Sequence, residues 1–201
     1  AIGCGSRVSN YTKLLSSLPQ PGQFVAFADP KPERLDLMRQ ITGNPDVRTF
    51  PNAEALLAED KLADIIFIGT QDADHAEPCL KAMELGYDVV LEKPVATNFQ
   101  EVVMLEREAT RLGRRVLICH VLRYTPFYTK IKALLESGAI GEITSLNAIE
   151  GVGPFHQAHS YVRGHWSVVG KSSPMIISKS CHDMDIISWL VDSQCKQVAS
   201  F

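Results

Sequence analysis

Short apolar strands alternate with helices over residues 1–120, and this alternation restricts the possible folds more than any other feature of the sequence. The segments 64–70 and 88–91 are apolar and rich in β-branched residues, which is typical of strands that are buried on both faces. Strands separated by helices pair in parallel, because each helix returns the chain through a right-handed crossover. The sequence therefore predicts an α/β fold with a parallel sheet covered by helices.

Periodicity and helix-capping residues predict the individual elements of this part. We expect strands at 23–29, 64–70, 88–91 and 115–120, and helices at 8–18, 33–41, 52–58, 75–85 and 98–112. Asn52 is expected to cap the third of these helices. Asn98 is expected to cap the fifth, together with Glu101 in a capping-box-like start.

A glycine pair at the start of the chain indicates a phosphate-binding turn. Gly3-Cys4-Gly5 follows apolar residues and precedes a helix, so the backbone can turn tightly and approach a pyrophosphate at the helix N-terminus. Val8 stands at the third glycine position, which departs from the full fingerprint. Asp29 ends the next strand, where a carboxylate can hold the adenosine ribose hydroxyls and favour NAD over NADP. Asp29 could equally be a turn residue or an N-cap.

The pattern changes near His120, which predicts a Rossmann-type dinucleotide-binding domain over 1–120 and the start of an incomplete α+β domain over 121–201. In the second domain Thr125-Pro126 opens a helix to 137, residues 142–150 alternate as a strand, 151–174 form a loop and 175–190 a helix. Residues 197–201 look like the start of a strand, so we expect a fragment that lacks a few residues in front and more behind. An isolated strand leaves its apolar face uncovered, so we expect Ile149, Val198 and Phe201 to be exposed.

Composition excludes several classes of partner. The 201 residues carry a net charge of −3, so no basic field attracts nucleic acid, and no apolar run reaches membrane-spanning length. The five cysteines are an odd number without the spacing of a disulfide framework, which indicates a reducing, cytoplasmic environment.

Glu92-Lys93-Pro94 follows the strand 88–91, at the edge of the sheet where open α/β folds bind ligands. A lysine held there by the following proline can donate to a substrate oxygen or take part in proton transfer. The alternative is an ordinary Lys–Glu pair on the surface.

The helix predicted at 175–190 carries the other candidate chemistry. Ser178, Lys179, His182 and Asp185 are three or four residues apart and share one face. The expected opposite face is an apolar stripe of Ile177, Met184, Ile187 and Leu190. The polar face is either solvated or forms a wall of an active site with His182 as general acid/base. The candidate metal ligands His156, His159, His165, Cys181 and His182 match no recognised spacing, so we predict no metal site.

Several motifs together resemble the Gfo/Idh/MocA oxidoreductases in order and spacing. These motifs are Gly3-Cys4-Gly5-Ser6-Arg7, Thr70-Gln71-Asp72-Ala73-Asp74-His75, Glu92-Lys93-Pro94, Arg123-Tyr124-x-Pro126 and His182-x-x-Asp185. The resemblance implies a nucleotide-binding domain followed by a sheet domain for substrate binding and oligomerisation. It also implies hydride transfer between NAD, or NADP, and a hydroxyl carbon of a sugar, cyclitol or related polyol, without metal. The expected partners are a carbohydrate-like substrate and, at full length, further copies of the chain.

The resemblance also implies roles for individual residues. Lys93 and His182 are the expected catalytic pair, with Lys179 beside them, because Ser178 occupies the place where many members have an aspartate. Asp185 or a segment beyond this chain could instead supply that acid. The expected cofactor contacts are Gly3, Gly5, Ser6, Arg7, Asp29, Thr70, His75, Glu92 and Lys93. The expected substrate contacts are Arg123, Tyr124, His159, Tyr161, Arg163, Trp166 and Asp185.

Two alternative functions remain open at this point. One is redox-assisted cleavage of a glycoside, in which transient oxidation acidifies a neighbouring C–H and the bound NAD is regenerated. The other is a non-catalytic dinucleotide sensor, which the serine at position 178 would suit.

Overall fold

The computed structural model describes residues 1–19, 22–168 and 172–200, and the chain divides into two compact units, Ala1–Cys119 and His120–Phe201. The first unit contains a parallel sheet. Its strands are β1 (Ala26–Ala28), β2 (Arg48–Phe50), β3 (Ile65–Ile68), β4 (Asp88–Leu91) and β5 (Val116–Ile118). β1 pairs with β2, and β4 lies between β3 and β5, all in parallel. Ile2 joins the two groups of strands through parallel bridges to Ala28 and Ile68.

Helices connect these strands. They are α1 (Ser6–Ser16), α2 (Pro32–Thr42), α3 (Ala53–Leu57), α4 (Ala76–Glu84) and α5 (Phe99–Leu112). The two expected asparagine caps are confirmed: Asn52 accepts from the Ala55 amide, and Asn98 accepts from the Glu101 amide. Each cap satisfies an amide that lacks a partner within the helix, so the start of the helix is specified locally.

Alternate residues of the strands face two different cores. Phe27 and Phe67 pack with Val8 of α1 and Met38 of α2. The neighbouring strand residues, such as Ile66 and Ile68, pack with buried residues of α3, α4 and α5 on the other side. The sheet is therefore covered by helices on both faces, as expected of a parallel sheet.

The second unit is helical among the residues that the structure describes. It contains α6 (Pro126–Glu136), α7 (Pro154–His156), a π-helical segment (Gln157–Val162), a 3₁₀ turn (His165–Ser167) and α8 (Met175–Val191). Thr125 caps α6 by accepting from the Tyr128 amide, with Pro126 at the first helical position, as the sequence predicts. No helix in the described part of the chain is long and apolar enough to cross a membrane.

Three expectations about this unit are wrong. Residues 142–150 form no strand, and neither do 197–200, because a strand needs a neighbour to pair with and none of the described residues supplies one. The predicted exposure is nevertheless confirmed for Ile149, at 87%, and Val198, at 82%, while Phe201 lies outside the described residues. The segment expected to be a loop, 151–174, contains the short helices and turns given above.

The expected apolar stripe of α8 is confirmed only in part, since Leu190 is buried and Ile187 is half-buried. Ile177 and Met184 are exposed, whereas the buried residues of the helix are Ser178, Ile186 and Leu190. These three follow spacings of four and eight residues, so they lie along one side of the helix. Which side of α8 is buried depends on the elements that pack against it. The buried side includes Ser178, which the sequence predicts on the polar face.

Candidate functional site

The glycine turn leaves open space at the N-terminus of α1. Gly3 has a φ of +81°, and a Cβ there would lie 2.7 Å from the backbone of Gly69 and Thr70, so only glycine fits. Gly5 is the N-cap of α1, with extended backbone, and a Cβ there would meet no protein atom within 4 Å. The first amides of an 11-residue helix face this space, where they and the helix dipole favour an anion.

Val8 packs against Gly69 at the place where the third glycine of the fingerprint normally allows the helix to approach the strand closely. Val8 is fully buried, and its Cγ2 lies 2.7 Å from the position that a Cβ on Gly69 would occupy. Gly69 follows β3, and its amide donates to Ile2 O at 2.8 Å. The helix therefore approaches the sheet closely because the missing side chain is on the strand side.

Asp29 is buried at the end of β1 and binds the turn itself. Its Oδ2 accepts from the Cys4 amide at 2.8 Å and from Arg34 Nη1 at 3.2 Å. Its Oδ1 accepts from the Lys31 amide at 2.9 Å. The side chain is 1% exposed, so the carboxylate holds together the glycine turn, the end of β1 and the start of α2.

The Glu92-Lys93-Pro94 turn follows β4 and is held by two side chains. The Lys93 amide donates to Glu92 Oε2 at 3.2 Å. His75 Nδ1 lies 2.8 Å from the Pro94 carbonyl, and since a carbonyl only accepts, Nδ1 carries the proton. His75 is 1% exposed and its Nε2 is buried, so the ring holds the turn beside the N-terminus of α4.

The Glu92 carboxylate lies among residues of α1. Arg7 Nε is 3.6 Å from Glu92 Oε1, with Glu92 only 10% exposed. Burial, together with the Glu92 charge, raises the pKa of the Tyr11 hydroxyl, which lies one helical turn after Arg7. The helix that begins at the glycine turn is thereby linked to the Lys93 turn.

Two other expected cofactor contacts lie near the glycine turn and after β3. Ser6 is the first residue of α1, next to Gly5. The Thr70 hydroxyl donates to the Asp74 carbonyl at 2.9 Å.

In the second unit the Asp185 carboxylate binds an arginine and a histidine. Arg123 Nε donates to Asp185 Oδ2 at 2.7 Å, and this bond raises the pKa of Arg123. His120 Nδ1 lies 3.0 Å from Asp185 Oδ1, and the His120 ring meets the edge of the His182 ring at a centroid distance of 5.8 Å. Asp185 therefore binds both His120 and Arg123. The contact with substrate that the sequence predicts would be only one part of its role.

Ser178 is buried and binds a phenol. The Tyr161 hydroxyl lies 2.6 Å from Ser178 Oγ, and the Tyr161 ring contacts those of Trp166 and His156. The π-helical segment brings Tyr161 to this position, and π-helical turns are frequent at functional sites. Lys179 follows on α8 and is half-buried.

The other expected substrate contacts in the second unit are exposed side chains. Tyr124 is 74% exposed, His159 packs its ring on Phe155 at 4.1 Å, and Arg163 is exposed. The expectation that Lys93 and His182 face one crevice joins residues of the two units and stays a prediction. Among the described residues, no three His, Cys, Asp or Glu side chains are grouped to hold a metal ion.

Sequence reasoning missed His120 and Tyr11 as members of these two clusters. The sequence predicts His120 only as the end of a strand, although it stands three residues before Arg123. The sequence predicts Tyr11 only as a residue of a helix, although it follows Arg7 by one turn and so shares its face. For Tyr11 the available signal is its helical spacing from Arg7, whereas no local spacing indicates that His120 pairs with Asp185 of α8.

Comparison with known proteins supports a dinucleotide-binding fold for the first unit. The sequence profile of the Gfo/Idh/MocA family, described as an oxidoreductase family with an NAD-binding Rossmann fold, matches residues 1–120. Inositol 2-dehydrogenase of Gluconacetobacter diazotrophicus is 26% identical over 197 residues, covering 96% of this chain and 54% of that protein. The chain thus spans about half the length of the curated relatives it matches.

Solved structures share the fold. A myo-inositol 2-dehydrogenase from Lactobacillus plantarum superposes with a TM-score of 0.80 at 22% identity, over 95% of this chain and 55% of that one. A scyllo-inositol dehydrogenase from Lactobacillus casei, with NAD(H) and scyllo-inositol bound, gives a TM-score of 0.78 at 20% identity. It covers 94% of this chain and 54% of that one.

Proposed function

Since the chain belongs to the Gfo/Idh/MocA oxidoreductase family, with its NAD-binding Rossmann fold, we propose that it carries the cofactor-binding and part of the catalytic machinery of a dehydrogenase or reductase. The proposed reaction is hydride transfer between the nicotinamide of NAD and a hydroxyl carbon of a sugar, cyclitol or related polyol. The relatives named inositol dehydrogenases support a substrate of this class.

The glycine turn is the observation that carries the proposal. Only glycine fits at position 3, while the space next to Gly5 is limited by no protein atom. A pyrophosphate fits such a place, because the amides of α1 point to it and no Cβ obstructs it. Gly3, Gly5, Ser6 and Arg7 would hold the pyrophosphate, and His75, Thr70 and Glu92 would shape the pocket farther along the sheet edge.

In the proposed chemistry one residue of each unit acts on the substrate hydroxyl group. NAD, when bound, supplies the carbon that accepts or donates hydride. Lys93 donates a hydrogen bond to the substrate hydroxyl oxygen and stabilises the charge that develops there. His182 accepts the hydroxyl proton. We assign Asp185 a positioning role, because it holds His120 against the edge of the His182 ring at the distances given above.

Three finer expectations accompany this proposal. The Ser178 hydroxyl and Tyr161 occupy the place of the carboxylate that many family members have, and Lys179 lies beside them. Arg123, Tyr124, His159, Tyr161, Arg163 and Trp166 remain candidates for binding the substrate. A cytoplasmic location and assembly into a homo-oligomer at full length are part of the same proposal.

Gly5→Val tests cofactor binding. The added side chain meets no protein atom near its Cβ, so the chain should still fold, with a loss of about 1 kcal/mol at most from the poorer N-cap, whereas the space for a pyrophosphate is filled. We expect NADH binding, followed by nicotinamide fluorescence, to weaken by more than about tenfold. Gly151→Val is the matched control, since that position is also open, and it should bind NADH as the unchanged chain does. Unaltered binding by Gly5→Val would refute the proposed site.

Lys93→Ala tests the catalytic assignment. NAD affinity should be largely retained, because the glycine turn is untouched, while turnover with a polyol substrate falls by about a hundredfold or more. Turnover is measured as NAD reduction at saturating substrate. Near-full activity of Lys93→Ala would show that this lysine has no part in the chemistry.

A further inference from the structure

Asp185 fixes the position of the proton on the His120 ring. Arg123 Nε donates to Asp185 Oδ2 at 2.7 Å, as expected of an ionised carboxylate. Such a carboxylate only accepts, so His120 Nδ1, which lies 3.0 Å from Asp185 Oδ1, carries a proton. In a neutral imidazole the other nitrogen is then an acceptor, which makes Nε2 the basic atom of His120.

The His120 ring is in contact with His182 and also reaches solvent. The two rings meet edge to face with a centroid distance of 5.8 Å. His182 Nδ1 is buried, whereas the His120 side chain is 21% exposed. A proton on His182 Nδ1 therefore cannot pass directly to bulk water. His120 is a base beside that ring, and water reaches part of its own side chain.

The proposed reaction leaves His182 with a proton to release. Since Nδ1 is buried, Nε2 is the atom of His182 that can accept the proton of the substrate hydroxyl. Both nitrogens of the ring then carry a proton. As long as the product stays at Nε2, the ring returns to its neutral form by losing the proton of Nδ1 to a group within the protein.

The charges beside His120 suit a residue that holds a proton only briefly. Asp185 stabilises a positive charge on the His120 ring, and Arg123, which shares that carboxylate, opposes it. A protonated His182 opposes it too. The proton thus gains little by remaining on His120, and the exposed part of the ring lets it pass on to water.

We propose that His120 is a proton relay between His182 and solvent. The relay rests on the proposed dehydrogenase function. His120 Nε2 takes the proton of His182 Nδ1, directly or through one water molecule, and then gives it to water or to a buffer base. Only N–H and O–H bonds form and break in these steps, since the electrons leave the substrate with the hydride. In the direction of reduction the same atoms carry the proton inwards.

Substitution of His120 separates the relay from its structural contact. His120→Asn keeps an N–H that can donate to Asp185 but cannot carry a proton, whereas His120→Ala leaves space for a small base. Both variants should bind NADH within about threefold of the unchanged protein. In weak buffer both should lose about tenfold or more of the turnover, measured as NAD reduction with myo-inositol, scyllo-inositol or D-glucose. Added imidazole should raise the turnover of His120→Ala by about fivefold or more, because it can carry the proton in place of the ring.

His165→Ala is the matched control. His165 is an exposed histidine of the 3₁₀ turn, so its loss should leave turnover unchanged, with or without imidazole. Near-full turnover of His120→Asn, or no response of His120→Ala to imidazole, overturns the relay. Should circular dichroism show that His120→Ala is unfolded, the turnover of His120→Asn decides. An unchanged protein that reduces NAD with none of the three polyols would instead overturn the proposed function, and the relay with it.

Discussion

Replacing Gly69 by alanine should destabilise the chain through a single contact. The new Cβ would lie 2.7 Å from Val8 Cγ2, whereas carbon atoms in contact are normally about 3.5–4.0 Å apart. Val8 is fully buried in α1, and a β-branched side chain in a helix has one strongly preferred rotamer, so it cannot turn away. Overpacking of this kind costs about 1–3 kcal/mol of the free energy of unfolding.

A second substitution separates this contact from other effects of the change. Val8→Ala alone removes two buried methyl groups, which should cost about 2–3 kcal/mol through lost burial and a cavity. In the double variant the alanine at 69 has room, and it fills part of the space that the valine leaves. The double variant should therefore be more stable than the sum of the two single effects predicts, by at least about 1 kcal/mol.

Urea unfolding of the four chains, followed by circular dichroism, measures this coupling. Gly3→Ala combined with Val8→Ala is the informative control. A Cβ at Gly3 meets the backbone of Gly69 and Thr70 and requires a positive φ, so shortening Val8 should give no relief. If Gly69→Ala and Val8→Ala were additive within about 0.5 kcal/mol, the close contact would not account for the cost.

Two further predictions concern ionisation. The Arg115 amide and guanidinium donate to Asp88 and hold the pKa of its carboxyl below the ordinary value of 3.8. This stabilisation is present above that pH and is lost as the pH falls through the lower folded-state pKa, so Asp88→Asn should reduce stability at pH ~7 and converge with the unchanged chain in acid. Burial raises the pKa of the Cys4 and Cys79 thiols to about 12, while Cys195 is exposed. Iodoacetamide at pH ~8 should therefore modify Cys195 first, and mass spectrometry showing equal labelling of all three in the folded chain would contradict this.

Local signals made much of the first unit predictable from sequence. The predicted strand 88–91 coincides with β4, and the predicted helix 33–41 lies within α2. Asn52 and Asn98 cap the helices expected of them, because a cap depends on residues three positions away. The parallel arrangement followed from alternation alone, since a helix between two strands leaves few other ways to connect them.

Non-local partners account for the expectations that failed. Alternation over 142–150 describes a strand only where another strand supplies hydrogen bonds, and sequence spacing contains no information about that neighbour. The buried side of α8 was likewise misjudged, because Ile177 and Met184 are apolar and nevertheless exposed. Asp185 was recognised as a candidate, yet its pairing with His120 and Arg123 spans most of the second unit and could not be read from spacing.

The third position of the glycine fingerprint requires space between the helix and the strand, and Val8 shows that this space need not come from a glycine at that position. The third glycine of the pattern lets a helix pack closely on a strand, and a valine at this place would normally hold the helix away. Here the space comes from Gly69 at the end of β3, which the chain reaches far later than α1. The close approach keeps the N-terminus of α1 at the sheet edge, and so keeps the amides beside Gly5 where a pyrophosphate would lie. Close packing of α1 on the sheet needs one small residue at the contact, and Gly69 supplies it from the strand side. A sequence can therefore lose the third glycine of the motif and retain the site, provided that the facing residue is a glycine.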